Sequence, residues 1–217
     1  IVASDQPAPG EFAAKARELG LATATTTTFP SMGRAPDEKG GASRLVGVKA
    51  VTANYPLRGE LRVSHGPGSA GTAAARAPEP GTVWVDRALL DALALKVGDA
   101  LLLGDASLRI AHMIVFEPDR GTGFTSFAPR VLLNAADLPA TALIQPASRV
   151  RYRFAVASRT ASDAPVRRFV AWAEAHIDAE NLRGMRVESL ESGRPEMQQT
   201  LDRAEKFLNL VALLAAL

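Results

Sequence analysis

The same local pattern stands near both ends of the chain, roughly 120 residues apart, and it leaves few ways to fold. At the front, Ile1–Ala3 reads as the tail of a strand. Glu11–Leu19 reads as a helix entered through Pro9 and stopped by Gly20, and Ala22–Phe29 (ATATTTTF) is a β-branched run with strand character. Toward the back, Val150, Tyr152, Phe154 and Val156 alternate with Arg149, Arg151 and Arg153, the period of a half-buried strand. Asp163 is placed to cap a helix running to about His176, with Val166, Phe169, Val170 and Ala173 on one face, and Met185–Leu190 reads as another strand. Two strand–helix–strand units of this kind can pair into one split α/β sheet with its helices on one face. What lies between them is then an insertion.

The insertion has a different texture. Arg44–Val51 (RLVGVKAV), Thr82–Val85, Ala100–Leu103, Ser107–Phe116 and Arg130–Leu133 read as short strands, and Gly104-Asp105 sits at a hairpin turn between two of them. Asp86 is placed to cap a short helix carrying Leu89, Leu90 and Leu93. Ser64–Pro80, rich in Gly, Ala, Ser and Pro, predicts a mobile loop. The segment is expected to form a small β-rich subdomain.

The last 23 residues, PEMQQTLDRAEKFLNLVALLAAL, begin as a charged amphipathic helix and turn into an apolar run. Met197, Leu201, Ala204, Leu208, Val211 and Ala215 recur at spacings of 4, 3, 4, 3 and 4, a heptad seam suited to a partner helix or to the helix's own domain. From Phe207 to Leu217 the one polar side chain is Asn209. A spanning helix needs about 20 apolar residues, so this run covers about half a bilayer. The expectation is a stalk helix leading into a severed transmembrane helix, which makes the chain a piece of a membrane protein.

Catalytic chemistry has little to stand on. The chain has no Cys, which excludes disulfides, thiolate metal sites and Cys nucleophiles. His65, His112 and His176 lack metal-ligand spacing and read as surface or structural histidines. Gly121-Thr122-Gly123 resembles part of a phosphate loop, but the Walker Lys is missing, and a turn is the better reading. Ser126 has no identifiable base, and Glu117, Asp119 and Asp137 carry no signature that separates them from surface carboxylates. No catalytic, cofactor or metal residue is therefore assigned. A net charge of +2 spread along 217 residues gives no footprint for nucleic acid. Phe124 and Phe127 flank Thr125-Ser126 in a Gly-rich stretch and are candidate contacts for a partner or an apolar substrate.

Three stretches carry a resemblance: VKAVTANYPLRGELRV (Val48–Val63), Val83–Thr141 and RAEKFLNLVALLA (Arg203–Ala215). Within them stand the YPLRG turn, the LALKVGD turn, the EPDRG segment and FAPRVLLNAADLPAT, in order. The chain resembles the extracytoplasmic domain of FtsX-like (MacB-type) ABC transporter permeases, and within them the YbbP-like group. The resemblance implies an α+β fold: a split βαβ "porter" part over 1–43 and 150–194, an inserted β-rich "sabre" part over 44–149, and a stalk with the start of a transmembrane helix over 195–217. It implies a non-enzymatic domain on the periplasmic side of a bacterial inner membrane, held by flanking transmembrane helices. ATP hydrolysis would lie on a separate cytoplasmic subunit. The stalk seam of Met197, Leu201, Ala204 and Leu208 would couple that hydrolysis to handling of an apolar or envelope substrate, alongside a periplasmic esterase as a further partner. The rival expectations are an envelope-anchored hydrolase using Ser126 or an acidic pair, and a passive binding or scaffolding module.

Overall fold

A computed structural model describes residues 1–120, 127–146 and 148–188. Eleven strands among them join a single mixed sheet, and the fold is α+β. The elements in chain order are β1 (Val2–Ser4), α1 (Gly10–Glu18), β2 (Ala22–Arg34), β3 (Ser43–Val51), β4 (Arg62–Ser64), β5 (Thr72–Ala73), β6 (Thr82–Asp86), α2 (Arg87–Leu93), β7 (Ala100–Leu103), β8 (Ala106–Phe116), β9 (Arg130–Asn134), β10 (Arg151–Ala157), α3 (Ala164–Ala179) and β11 (Arg186–Val187). The sheet order is β11-β1-β10-β2-β3-β9-β6-β8-β4-β5, with β7 bridging β2 and β8.

At one end, β10 inserts antiparallel between β1 and β2, so strands from the two chain ends alternate. Helices α1 and α3 lie together on one face there. Their apolar stripes supply Phe12, Ala16, Phe169 and Ala173 to a core shared with Val2 and Phe154. The Phe12 and Trp172 rings meet edge-on at 5.2 Å.

The spine is β2. The β-branched run ends at Phe29, yet the strand runs on through Pro30 to Arg34. Proline removes a ladder donor and usually marks an edge. Here Pro30 stands opposite Gly47, whose own N–H turns away to the Pro129 carbonyl at 2.9 Å, so the missing donor leaves no broken pair. The second half of β2 pairs with β3 over nine positions.

Strand alternation then sorts two cores onto opposite faces. Val46, Val48, Ala50, Val83, Val85, Val131 and Leu133 point to one face and pack with Leu89, Leu90 and Leu93 of α2. Val51, Trp84 and Leu132 point to the other, joined by Tyr55, Leu61, Val63 and Ile114. By the same period Lys49, Asp86 and Arg130, each two residues from a member of that second set, belong to the second face.

Three expectations need correction. Asp163 precedes α3 but makes no side-chain capping bond to it. Asp86 makes no capping bond to α2; its carboxylate is engaged elsewhere, as described below. The segment 64–80 is not a bare loop, since β5 pairs with β4 and Ala77 is buried in the second core. Alanines spaced without period give no strand signal, which is why that packing was not visible. The hairpin at Gly104-Asp105 joins β7 to β8 as expected.

Candidate contact loop and its ionic base

Six charged side chains meet where β8 ends. Lys49 on β3 is almost wholly buried and donates to Glu117 Oε1, Asp119 Oδ1 and Tyr55 Oη, each at 2.8 Å. Tyr55 in turn donates to Asp119. The other Glu117 oxygen accepts from Arg130 Nε at 2.9 Å. Arg130 also donates to the Gly47 carbonyl at 3.3 Å and the Arg120 carbonyl at 3.1 Å. Arg120 clasps the Asp86 carboxylate with both terminal nitrogens, at 3.1 and 2.5 Å, and Asp86 also accepts the Arg130 backbone N–H at 2.8 Å. Lys49, Arg120 and Arg130 thus face Asp86, Glu117 and Asp119, three charges against three.

Such balance is what burial demands. An unpaired charge in an apolar core costs several kcal/mol, and pairing with further hydrogen bonds offsets it. Local electrostatics follow the geometry. Burial alone would raise the Asp119 carboxyl, but the Lys49 charge and the hydrogen bonds from Lys49 and Tyr55 outweigh it and hold the group below its ordinary value. Burial, then the Asp119 and Glu117 charges, push the Tyr55 phenol well up, so it stays a neutral donor. The bidentate bond to Asp86 raises the Arg120 guanidinium further. Three acceptors at 2.8 Å surround the Lys49 amino group.

The network ties the end of β8 to the start of β9. Glu117, Asp119 and Arg120 form the entry to this connection and Arg130 its exit, and the Arg130 guanidinium bridges the two. The YPLRG turn braces the same base: Tyr55 joins the cluster, and Gly59, at φ +78°, sits so close to Pro118 that a Cβ would come within 2.8 Å. Three of the four quoted motif stretches therefore converge on one network. The fourth, LALKVGD, is a separate turn in which the Asp99 carboxylate accepts the Lys96 N–H at 3.0 Å.

At the exit, Phe127 is 87 % exposed. It borders a surface groove of about 460 Å³ with Leu45 and Pro129. Leu45 is itself exposed and stands opposite exposed Met32 in the β2–β3 register. Exposed large apolar side chains grouped in this way mark contact surfaces.

The other candidates fall elsewhere. Phe124, Ser126 and the seam residues Met197, Leu201, Ala204 and Leu208 lie outside the described residues. Glu117 and Asp119 join the network, whereas Asp137 accepts the Gly81 N–H at 2.9 Å. His65 and His112 come together, with ring centroids 4.9 Å apart, and His176 stacks on Trp172. Among the described residues no three His, Cys, Asp or Glu side chains group as metal ligands, and no helix is long and apolar enough to cross a membrane. Sequence reading missed Lys49, Asp86 and Arg130. The available signal was a charge embedded in an otherwise apolar strand.

Comparison with known proteins places this geometry. Over 214 residues, 99% of the chain, it is 31% identical to an uncharacterized ABC transporter permease, YbbP, of Escherichia coli K12. The chain belongs with the FtsX/MacB-like extracytoplasmic domains of ABC permeases. The permease domain spans about a quarter of that relative's length (24%). No protein-family profile matches it. Its fold is shared with the periplasmic region of MacB from Actinobacillus actinomycetemcomitans (TM-score 0.51, 10% identity, 93% of this chain and 91% of that one). It is also shared with the extracellular domain of the ABC-type transporter YknZ from Gram-positive bacteria (TM-score 0.52, 11% identity, 87% and 99%).

Proposed function

We propose that this permease domain works outside the membrane of a bacterial inner-membrane ABC transporter, moved by ATP hydrolysis on a separate cytoplasmic subunit. The observation that carries the reading is the 31% identity to an ABC permease along nearly the whole chain. In this reading, 1–43 and 150–194 form the porter part, 44–149 the sabre part, and 195–217 the stalk and the start of a transmembrane helix. Met197, Leu201, Ala204 and Leu208 transmit the movement, because a rigid helix whose position depends on nucleotide state can bias a domain attached to it. Phe127, with Phe124 beside it in sequence, meets an apolar or envelope substrate, or a periplasmic partner such as an esterase. The exposure of Phe127 beside Leu45 and Met32 supports that role, and the ionic base gives the loop a fixed root. The domain itself is not an enzyme and needs no cofactor.

The test uses the full-length permease reconstituted with its ATP-binding subunit. Leu201→Asp should leave the outer domain folded by circular dichroism and abolish ATP-dependent function. Survival of that function in the Leu201→Asp complex would defeat the lever. Failure of the full-length protein to co-purify with any ATP-binding subunit would defeat the wider reading.

A further inference from the structure

A second surface feature stands apart from the loop, where β4, β5, β6 and β8 come together. It is a cleft of about 600 Å³. That is within the ~300–1,000 Å³ range of small-molecule sites. Its polar lining is Arg76, Arg109, His65, His112 and Glu79, among the charged and titratable groups, and Trp84 forms part of an otherwise largely apolar wall. Four basic side chains thus face one carboxylate. Arg76 and Arg109 are exposed and have no ion-pair partner among the described residues. Two unpaired guanidiniums converging on one concavity give it a positive field.

A backbone irregularity builds the site. The β6–β8 register slips between Val83 and Trp84, so that Val83 faces Ile110 but Trp84 faces His112. The extra residue is Ala111, and it and His112 both line the cleft although they are sequence neighbours. A bulge re-aims a side chain in this way, and bulges gather beside functional sites. His112 then meets Trp84 edge-on at 5.4 Å and His65 at 4.9 Å. Burial, and then the neighbouring His65 and Arg109, hold the His112 imidazole below its ordinary range. Its Nδ1 is buried without a hydrogen-bond partner. Burial and these neighbours disfavour a charged His112, and an anion beside it would offset that.

We infer that this cleft binds a small organic anion, a phosphate or carboxylate carried on an aromatic or short apolar body. Arg76, Arg109 and His65 take the anion, and Trp84 with the alanine wall takes the body. Guanidinium groups suit phosphate and carboxylate because their paired N–H donors match the oxygens. A metal ion is the weaker occupant, since the two guanidiniums lining the cleft repel a cation. The inference does not depend on the permease reading.

The experiment titrates the 217-residue chain carrying Trp172→Phe, which leaves Trp84 as its one tryptophan. The probes are phenyl phosphate, inorganic phosphate and zinc ion, read by Trp84 fluorescence and calorimetry. Phenyl phosphate should saturate one site, added salt should weaken it, and Arg76→Ala with Arg109→Ala should weaken it tenfold or more without lowering the melting temperature. The inference is overturned if phenyl phosphate fails to saturate at millimolar concentration, or if the double variant binds it unchanged. Equal affinity for inorganic phosphate would overturn the apolar body, and zinc binding in preference to phosphate would overturn the anion site.

Discussion

Replacing Glu117 by Gln tests the ionic base where it is most buried. The side chain has no exposed surface, and its two oxygens serve Lys49 at 2.8 Å and Arg130 at 2.9 Å. Gln keeps the shape and removes the charge. Lys49 then retains Asp119 and Tyr55, and Arg130 retains two backbone carbonyls, but three cations face two carboxylates. Breaking a buried pair costs about 3–5 kcal/mol, and the retained acceptors place this case near the lower end, about 3 kcal/mol. For a chain of this size each kcal/mol moves Tm by about 2–4 °C, so a fall of about 6–12 °C is expected. Urea unfolding followed by circular dichroism measures it. Amide exchange should also accelerate at residues 118–120 and 128–130, the loop roots, ahead of the helices. A loss below about 1 kcal/mol would mean that the cluster behaves as a surface pair, and the reasoning would fail. Should Glu117→Gln not fold, Asp119→Asn at the more exposed margin carries the same test, with a smaller loss and the same exchange pattern.

Further outcomes follow from the same geometry. Phe127→Asp should change stability by no more than about 0.5 kcal/mol, as for exposed sites generally, yet impair function in the full transporter; a large loss in thermal melts would contradict its exposed placement. Gly104→Ala should destabilise by about 2 kcal/mol or more, because φ is +59° and a Cβ would fall 1.9 Å from the Thr141 carbonyl oxygen; unchanged urea midpoints would count against the hairpin. The Tyr55 phenol is raised in the folded state, so its stabilisation is complete below the ordinary tyrosine value near 10 and declines as pH rises above it. Stability curves should therefore fall more steeply above about pH 10 in wild type than in Tyr55→Phe, and identical slopes would refute this. Asp119 works in the opposite sense: its pKa is lowered, so its contribution is present above the unfolded value and is lost as pH falls through the acid range. Asp119→Asn should flatten the stability profile there, and an unchanged acid limb would speak against the Lys49 pairing.

Much of the local structure was legible because it follows from periodicity. The alternation Val150, Tyr152, Phe154, Val156 announced β10, and the Val166, Phe169, Val170, Ala173 stripe announced α3. The extension of β2 was not legible, because whether a proline ends a strand depends on where the facing N–H points, and Gly47 points to Pro129. Asp86 illustrates a second limit. An Asp before a helix is a good local cap, but a pair of arginine bonds and a backbone N–H compete for the same carboxylate, and they come from 34 and 44 residues away. The ionic network was invisible for that reason: Lys49 lies 68 residues from Glu117 in sequence. Its parts did stand in the order of YPLRG, EPDRG and FAPR, but order alone does not say that they touch. For Phe127, the Gly-rich surroundings allow exposure but burial in the subdomain core is the favoured reading from sequence, and the side chain is exposed.

Under the proposed function, this domain responds to ATP through its stalk. Spin labels at Phe127→Cys and Leu201→Cys in the full-length permease, otherwise free of cysteine and assembled with its ATP-binding subunit, measure it directly. The account predicts that the distance distribution between them shifts when ATP binds and returns after hydrolysis. An identical distribution with and without nucleotide, in a complex that hydrolyses ATP, would contradict it.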